Sequence, residues 1–267
     1  MAEDLWQRYY GAPAVAGAKQ FGVLIDLNKC LGCHTCQVTC KTTWSDGPGQ
    51  ERMYWTRVTT RPFGESTSEH PNLYGDVPAG VYPEMWQFYL PQMCNHCIEP
   101  PCLETCPSGA LYKRTDGIVL IDQERCEGAQ ACVEGCPYHS ITYNAVTRTS
   151  QKCIGCYPLV ERGEEPACVR SCTGKARMFG DLLDPGSAIS TIIRGAGNDG
   201  EGGPHRRTMS PGDVRPYRPD FGTVPSVWYI MPKGVPEEAI EKYFGMAMGG
   251  RRAEPYVVPD ELKTTTE

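Results

Sequence analysis

Fifteen cysteines in four tight groups, short apolar runs ahead of those groups, and Gly- and Pro-containing stretches between them predict an α+β chain. It reads as two interleaved ferredoxin-like modules of the paired 4Fe–4S type, with a long loop-rich insertion and a C-terminal partner-binding extension. The groups are Cys30, Cys33, Cys36 and Cys40; Cys94, Cys97, Cys102 and Cys106; Cys126, Cys132 and Cys136; and Cys153, Cys156, Cys168 and Cys172. Four cubanes would need sixteen thiolates, so the chain is one short. The shortfall can be located. In the third group the C-x2-C-x2-C-x3-C spacing calls for a cysteine at position 129, where Ala129 stands. Three 4Fe–4S clusters and one 3Fe–4S cluster are therefore expected, the last with a vacant corner at Ala129. The competing reading is a full cubane whose corner is filled by water, hydroxide or another residue.

Zinc and disulfides are the alternatives for so many thiols. Cys153-x2-Cys156-x11-Cys168 alone would suit a zinc ribbon. The run Cys30-Leu-Gly-Cys33-His-Thr-Cys36-Gln-Val-Thr-Cys40 would not, because three cysteines at successive x2 spacing wrap a cubane and the fourth cannot reach the same cluster. The odd count argues against a disulfide framework. So does Met1-Ala2-Glu3-Asp4, which has neither a basic nor an apolar region, so no signal peptide of its own is expected.

In paired-cluster ferredoxins the fourth cysteine of each run ligates the other cluster and is commonly followed by Pro, as Cys106 is by Pro107 and Cys136 by Pro137. That rule assigns ligands. Cys94, Cys97, Cys102 and Cys136 form one 4Fe–4S set; Cys106, Cys126 and Cys132 form the 3Fe–4S set. The outer groups exchange in the same way. Cys30, Cys33, Cys36 and Cys172 hold one 4Fe–4S cluster, and Cys40, Cys153, Cys156 and Cys168 hold another.

The elements follow in order. Residues 1–20 read as an N-terminal arm. Phe21–Asp26 is an apolar run feeding the first cysteine loop as a strand. Residues 21–40 plus 141–184 make the outer module, 41–84 the insertion and 85–140 the inner module. Within the inner module 85–90 reads as a strand, and 110–114 and 118–121, joined through Asp116-Gly117, as a hairpin. Residues 141–144 give another strand, and a short helix is expected after each cysteine triplet. In the extension, 185–267, Asp184-Pro-Gly-Ser187 starts a helix ending near Gly195, and a second runs from Pro236 to Phe244. This tail has too little core of its own and is expected to lie on a partner subunit.

The net charge of −6 argues against a nucleic-acid partner. No stretch reaches about 18 consecutive apolar residues, so no membrane span is expected. Gly195-x-Gly197-x-x-Gly200 matches a dinucleotide fingerprint in letters only, since no strand–helix context surrounds it. His34, His96 and His139 lie within or beside cysteine groups; with the triplets complete they are expected to hydrogen-bond near clusters rather than bind iron. Trp44, Trp55, Trp86 and Trp228 read as packing residues, and Arg206-Arg207 and Arg251-Arg252 as solvated or interface charges. No catalytic constellation is visible, so no catalytic site is expected in this chain.

The stretches Asn28-Lys-Cys-Leu-Gly-Cys-His-Thr-Cys-Gln-Val-Thr-Cys-Lys41, Cys94-Asn-His-Cys-Ile-Glu-Pro-Pro-Cys-Leu-Glu-Thr-Cys-Pro-Ser-Gly-Ala110, Asp116-Gly-Ile-Val-Leu-Ile-Asp122 and Cys153-Ile-Gly-Cys-Tyr-Pro158 carry a family resemblance. Over roughly residues 20–184 the chain resembles the four-cluster iron–sulfur β subunits of dimethyl-sulfoxide-reductase-type molybdenum enzymes. It is similar to the clade of nitrate, selenate and chlorate reductases, dimethylsulfide dehydrogenase and ethylbenzene dehydrogenase. Members of that clade carry a 3Fe–4S cluster at the third group, many with an aromatic residue where this chain has Ala129. The resemblance implies an electron-transfer subunit between a molybdenum bis-pterin catalytic subunit and a haem b subunit. The Cys30 set would face the catalytic subunit and the 3Fe–4S set the haem. Location would be periplasmic by co-export with a twin-arginine-signalled partner, or alternatively the cytoplasmic face of the membrane. A free polyferredoxin serving soluble enzymes is the second functional reading, and a zinc-stabilised interaction module the third.

Overall fold

The computed structural model describes residues 19–62, 79–193 and 214–245. Most of the N-terminal arm, residues 63–78 of the insertion, the Gly195–Gly200 motif and both arginine pairs lie outside the described residues. The central element is a four-stranded sheet in the order β8-β1-β10-β9, formed by Arg177–Asp181, Phe21–Asp26, Val227–Ile230 and Val214–Pro216. β1 pairs parallel with β10, Val23 opposite Val227 and Ile25 opposite Tyr229, and antiparallel with β8.

β1 is an unbroken apolar run because both faces of this sheet are covered. Alternation sends Val23 and Ile25, with Val227 and Tyr229, to one face, against Phe88, Leu90, Ile240 and Phe244. Leu24, Trp228 and Ile230 go to the other, against Leu182, Ile189 and Ile193. Two short helices cover the faces: Ala188–Ile193 (here α6) behind Trp228, and Glu237–Phe244 (α7) over Tyr229.

This arrangement corrects the expectation for the tail. Residues 214–245 supply two strands of the central sheet and a covering helix, and Trp228, Tyr229 and Phe244 are among the most completely buried side chains. The segment looked core-poor because its apolar residues are few and clustered; they become core only when β10 aligns beside β1, some two hundred residues earlier in the chain. Both predicted helices are present, as α6 and α7.

The cysteine-bearing elements attach to this sheet. Helix α1 (Thr35–Trp44) carries Cys36 and Cys40 and packs on α5 (Ala167–Arg170), which carries Cys168. Helices α2 (Pro101–Glu104) and α3 (Ala131–Glu134) carry Cys102 and Cys132 and pack on each other. Each is followed by a hairpin: β4–β5 (Leu111–Lys113, Val119–Ile121) after α2, and β6–β7 (Ile141–Asn144, Thr149–Lys152) after α3. The helices thus carry Cys36, Cys102, Cys132 and Cys168 within themselves rather than following them. The remaining one-turn helix, α4 (Tyr157–Val160), starts directly after Cys156.

Some strands differ from expectation, and β2 (Thr56–Arg61) arises within the stretch read as a loop-rich insertion. The strand placed at 85–90 is β3, Phe88–Met93, paired with β2; Trp86 instead bridges to Ala79. Pro91 is tolerated within β3 because the sheet has only two strands, so both are edges. β7 was not anticipated, since Thr149-Ser-Gln-Lys152 is polar and reads as a linker.

Candidate metal centres

The loops that present the thiols turn tightly, and the backbone shows it. Gly32, between Cys30 and Cys33, has φ +63°, and a Cβ there would meet the Tyr89 ring at 2.5 Å. Gly128 has φ +72°, with the Arg148 carbonyl 2.4 Å from where a Cβ would stand. His34, His96, Gln130 and Cys156 also adopt left-handed backbone beside the cysteines, where extended or helical residues could not wrap a compact centre.

Three sets of cysteines each line one cavity. Cys40, Cys153, Cys156 and Cys168 surround a cavity walled by Trp44, Trp55, Phe179 and Val227. Cys94, Cys97, Cys102 and Cys136 surround a second, with Pro100, Pro137, Tyr138 and Ile141. Cys106, Cys126 and Cys132 line a third together with Ala129 and Ser150, and Ala129 stands exposed at its rim. In the remaining set burial raises the Cys30 thiol, and Cys36 and Cys172 lie near enough for their charges to add to that shift, so thiols from distant parts of the chain come together here too.

The sets stand in a row. Cys36 and Cys168 share one apolar cluster, which joins the first set to the second. Cys153 packs with Cys94, joining the second to the third. Cys102 and Cys132 share another cluster, joining the third to the fourth. At one end Cys33 is exposed; at the other Cys106 and Cys126 are half-buried; the sets between them are mostly buried.

The inner thiols feel their burial. Desolvation pushes Cys40 and Cys102 up to about 12 and Cys153 well above the usual thiol range. Cys168 is pushed up to about 11 by burial, with the Arg177 guanidinium opposing the shift. Burial alone would lower Arg177, but Cys168 and Cys36 outweigh it and hold it firmly charged. Only metal binding would make such buried sulfurs stable as thiolates. Among the described residues no three His, Cys, Asp or Glu side chains converge as a single metal ion would require. The sulfurs ring cavities instead, which suits a polynuclear cluster rather than one zinc. All fifteen cysteines are free of disulfides.

Donors reach several sulfurs directly. Trp44 Nε1 donates to Cys156 Sγ at 3.2 Å, the Gly155 N–H to Cys153 Sγ at 3.4 Å, and the Ala176 N–H to Cys172 Sγ at 3.2 Å. The Ser150 N–H donates to Cys126 Sγ at 3.4 Å. All four tryptophans pack as expected: Trp55 and Trp86 against the main core cluster, Trp44 beside Cys156 and Leu159, and Trp228 in the sheet core; Trp44 and Trp55 in addition line the cavity of Cys40, Cys153, Cys156 and Cys168. His34 and His139 are exposed, while His96 is buried. Sequence reasoning passed over Lys152 and Arg177, both buried among the sets. Lys152 donates to the Val119 and Cys153 carbonyls. Nothing in the linear pattern separates them from surface cations.

Comparison with known proteins agrees with this chemistry. The family described as "4Fe-4S dicluster domain" matches residues 85–182. The perchlorate reductase β subunit of Dechloromonas aromatica (strain RCB) is 37% identical over 270 residues, covering 81% of this chain and 77% of that one. The selenate reductase β subunit of Thauera selenatis is 34% identical, covering 80% and 78%. The dimethylsulfide dehydrogenase β subunit of Rhodovulum sulfidophilum is 34% identical, covering 82% and 79%. With its rows of cavity-lining cysteines and these relatives, the chain belongs to the iron–sulfur β subunits of the dimethyl-sulfoxide-reductase-type oxidoreductases, the electron-transfer rather than the catalytic members of their complexes.

Proposed function

We propose that the chain conducts electrons through three 4Fe–4S clusters and one 3Fe–4S cluster in two interleaved ferredoxin-like modules. Cys30, Cys33, Cys36 and Cys172 hold the first cluster; Cys40, Cys153, Cys156 and Cys168 the second; Cys94, Cys97, Cys102 and Cys136 the third; Cys106, Cys126 and Cys132 the 3Fe–4S centre. The observation that carries this reading is the row of four cysteine sets, each touching only its neighbours through shared packing. Tunnelling weakens steeply with distance, so a long path needs closely spaced centres. The clusters supply one-electron redox chemistry; the chain's own residues space them, bury the middle and leave each end near the surface.

Exposure at Cys33 supports docking of a molybdenum bis-pterin catalytic subunit at the first set. The half-buried Cys106 and Cys126 support a haem b subunit or another carrier at the opposite end. The relatives' names as β subunits favour a complex over a free polyferredoxin. Co-export to the periplasm with a twin-arginine-signalled partner is the proposed route.

Two substitutions test the reading. Cys136→Ser should damage the Cys94/Cys97/Cys102 cluster and spare that of Cys126 and Cys132; the reverse pattern in electron paramagnetic resonance would overturn the ligand sets. In the unmodified protein an oxidised three-iron signal should be present, and Ala129→Cys should convert it to a four-iron centre of lower potential. The exposure of Ala129 favours the rival reading that solvent completes a cubane, and four irons found at this site would decide for it.

A further inference from the structure

His96 lies between Cys94 and Cys97, yet it lines the cavity of Cys40, Cys153, Cys156 and Cys168. The residue is 6% exposed. Nδ1 accepts the Val119 N–H at 3.1 Å and therefore carries no proton. A ring whose Nδ1 is an acceptor is neutral and has its proton on Nε2, which makes Nε2 a donor. That buried donor has no partner in the protein. Beside it the Asn95 amide, 2% exposed, is also unpartnered at both its atoms, and it lines this cavity and the cavity of Cys94 as well. The Trp55 indole N–H is a third unpartnered donor on the same cavity.

The placement of Asn95 and His96 is held by Ser226, which itself lines the cavity. Ser226 donates its N–H to the Asn95 carbonyl at 2.9 Å and its hydroxyl to the His96 carbonyl at 3.0 Å. Gln20 in turn donates to the Ser226 hydroxyl at 2.8 Å. Buried donors without acceptors are strongly disfavoured, so several collected on one cavity call for an acceptor inside it. An iron–sulfur cluster offers only acceptors, its sulfides and thiolates.

We propose that His96 donates its Nε2–H to a sulfur of the cluster held by Cys40, Cys153, Cys156 and Cys168, and that this bond, with the Asn95 amide and the Trp55 indole beside it, raises that cluster's reduction potential. This rests on the ligand sets of the preceding section. Reduction adds negative charge to the cluster, and a donor aimed at its sulfur stabilises the reduced form more than the oxidised one. His96 would thus act on the neighbouring cluster rather than on the one its flanking cysteines ligate. Asn95, in the wall between the two cavities, is placed to touch both.

The test uses the complex purified through a tag on this chain, titrated potentiometrically with detection by electron paramagnetic resonance. Cys156→Ser and Cys94→Ser first identify the signals of the two inner clusters. His96→Phe should then move the Cys156-dependent signal to more negative potential and leave the Cys94-dependent signal in place. An exchangeable-proton coupling on the reduced Cys156-dependent cluster should disappear. His96→Gln, which keeps a donor, should restore much of the shift. Unchanged potential and coupling in His96→Phe, or a shift confined to the Cys94-dependent signal, overturns the proposal. Should His96→Phe fail to assemble, Trp55→Phe, which removes one donor and keeps an aromatic ring, is read on the same signal, and no shift there overturns it. If Cys156→Ser and Cys94→Ser abolish the same signal, the ligand sets fail; if they abolish different signals and His96→Phe moves neither, only the hydrogen-bond proposal fails.

Discussion

The cavity around Cys40, Cys153, Cys156 and Cys168 and the one around Cys106, Cys126 and Cys132 hold the same kind of ligand in opposite surroundings. In the first every cysteine is buried, and tryptophans and the sheet core form the wall. Its thiols come from α1 and from a segment more than a hundred residues later. In the second, Cys106 and Cys126 are half-buried, Ala129 is exposed, and all ligands come from two adjacent Cys–helix–hairpin units. Burial raises Cys40 to about 12. At Cys106 burial, the largest single effect, would raise the thiol, but hydrogen bonds from Leu111, Ser108 and Ala110 together outweigh it and lower the thiol. The inner site is therefore a product of the whole fold, and the outer one of local sequence. Damage to the core should separate them.

The largest separation is expected from Phe244→Ala. Phe244 is fully buried and rings with Tyr229, Tyr217 and Phe88 at 5.3, 5.7 and 6.3 Å, in the core cluster that contains Cys153. Truncating such a Phe costs about 3–5 kcal/mol. Denaturant unfolding of the purified complex should register that loss, and the signal dependent on Cys156 should broaden while the three-iron signal keeps its shape. Equal damage to both would break the comparison.

A smaller, kinetic separation is expected under a chelator with mild oxidant. Iron from the Cys106/Cys126/Cys132 site should leave before iron from the inner two sites, because solvent reaches its sulfurs. Following each signal against time gives the order, and simultaneous loss would mean that iron release waits on global opening.

The smallest effect is expected from Ser150→Ala. The Ser150 hydroxyl lies beside Cys132, while its N–H, which the substitution keeps, donates to Cys126. Titration should find only a slight negative shift of the three-iron signal, with the inner clusters unmoved. A shift as large as that from His96→Phe would show that the outer site depends on its hydrogen bonds as much as the inner one does.

Much of this was legible in order of residues. The cysteine spacings grouped Cys106, Cys126 and Cys132 with Ala129, which line one cavity, and the β1 run, both inner hairpin strands around Asp116-Gly117, β6, α6 and α7 follow from local pattern. These are short-range features, in which propensity, turn chemistry and ligand spacing act within a few residues. The rest was long-range. That residues 214–230 complete a sheet begun at Phe21 depends on pairing across the whole chain, which no window of sequence contains. The polar strand β7 exists because β6 lies opposite it, and Lys152 and Arg177 are buried only because separate segments close around them. His96 shows the same division most sharply. Its position between two cysteines made it a neighbour of a cluster, and the Val119 N–H, brought up by a hairpin, decided which nitrogen is its donor. The sequence by itself determined which side chains carry thiols and at what spacing; the tertiary structure decided how deeply each set is buried and which donors face it, because burial and hydrogen bonding depend on what distant segments bring alongside.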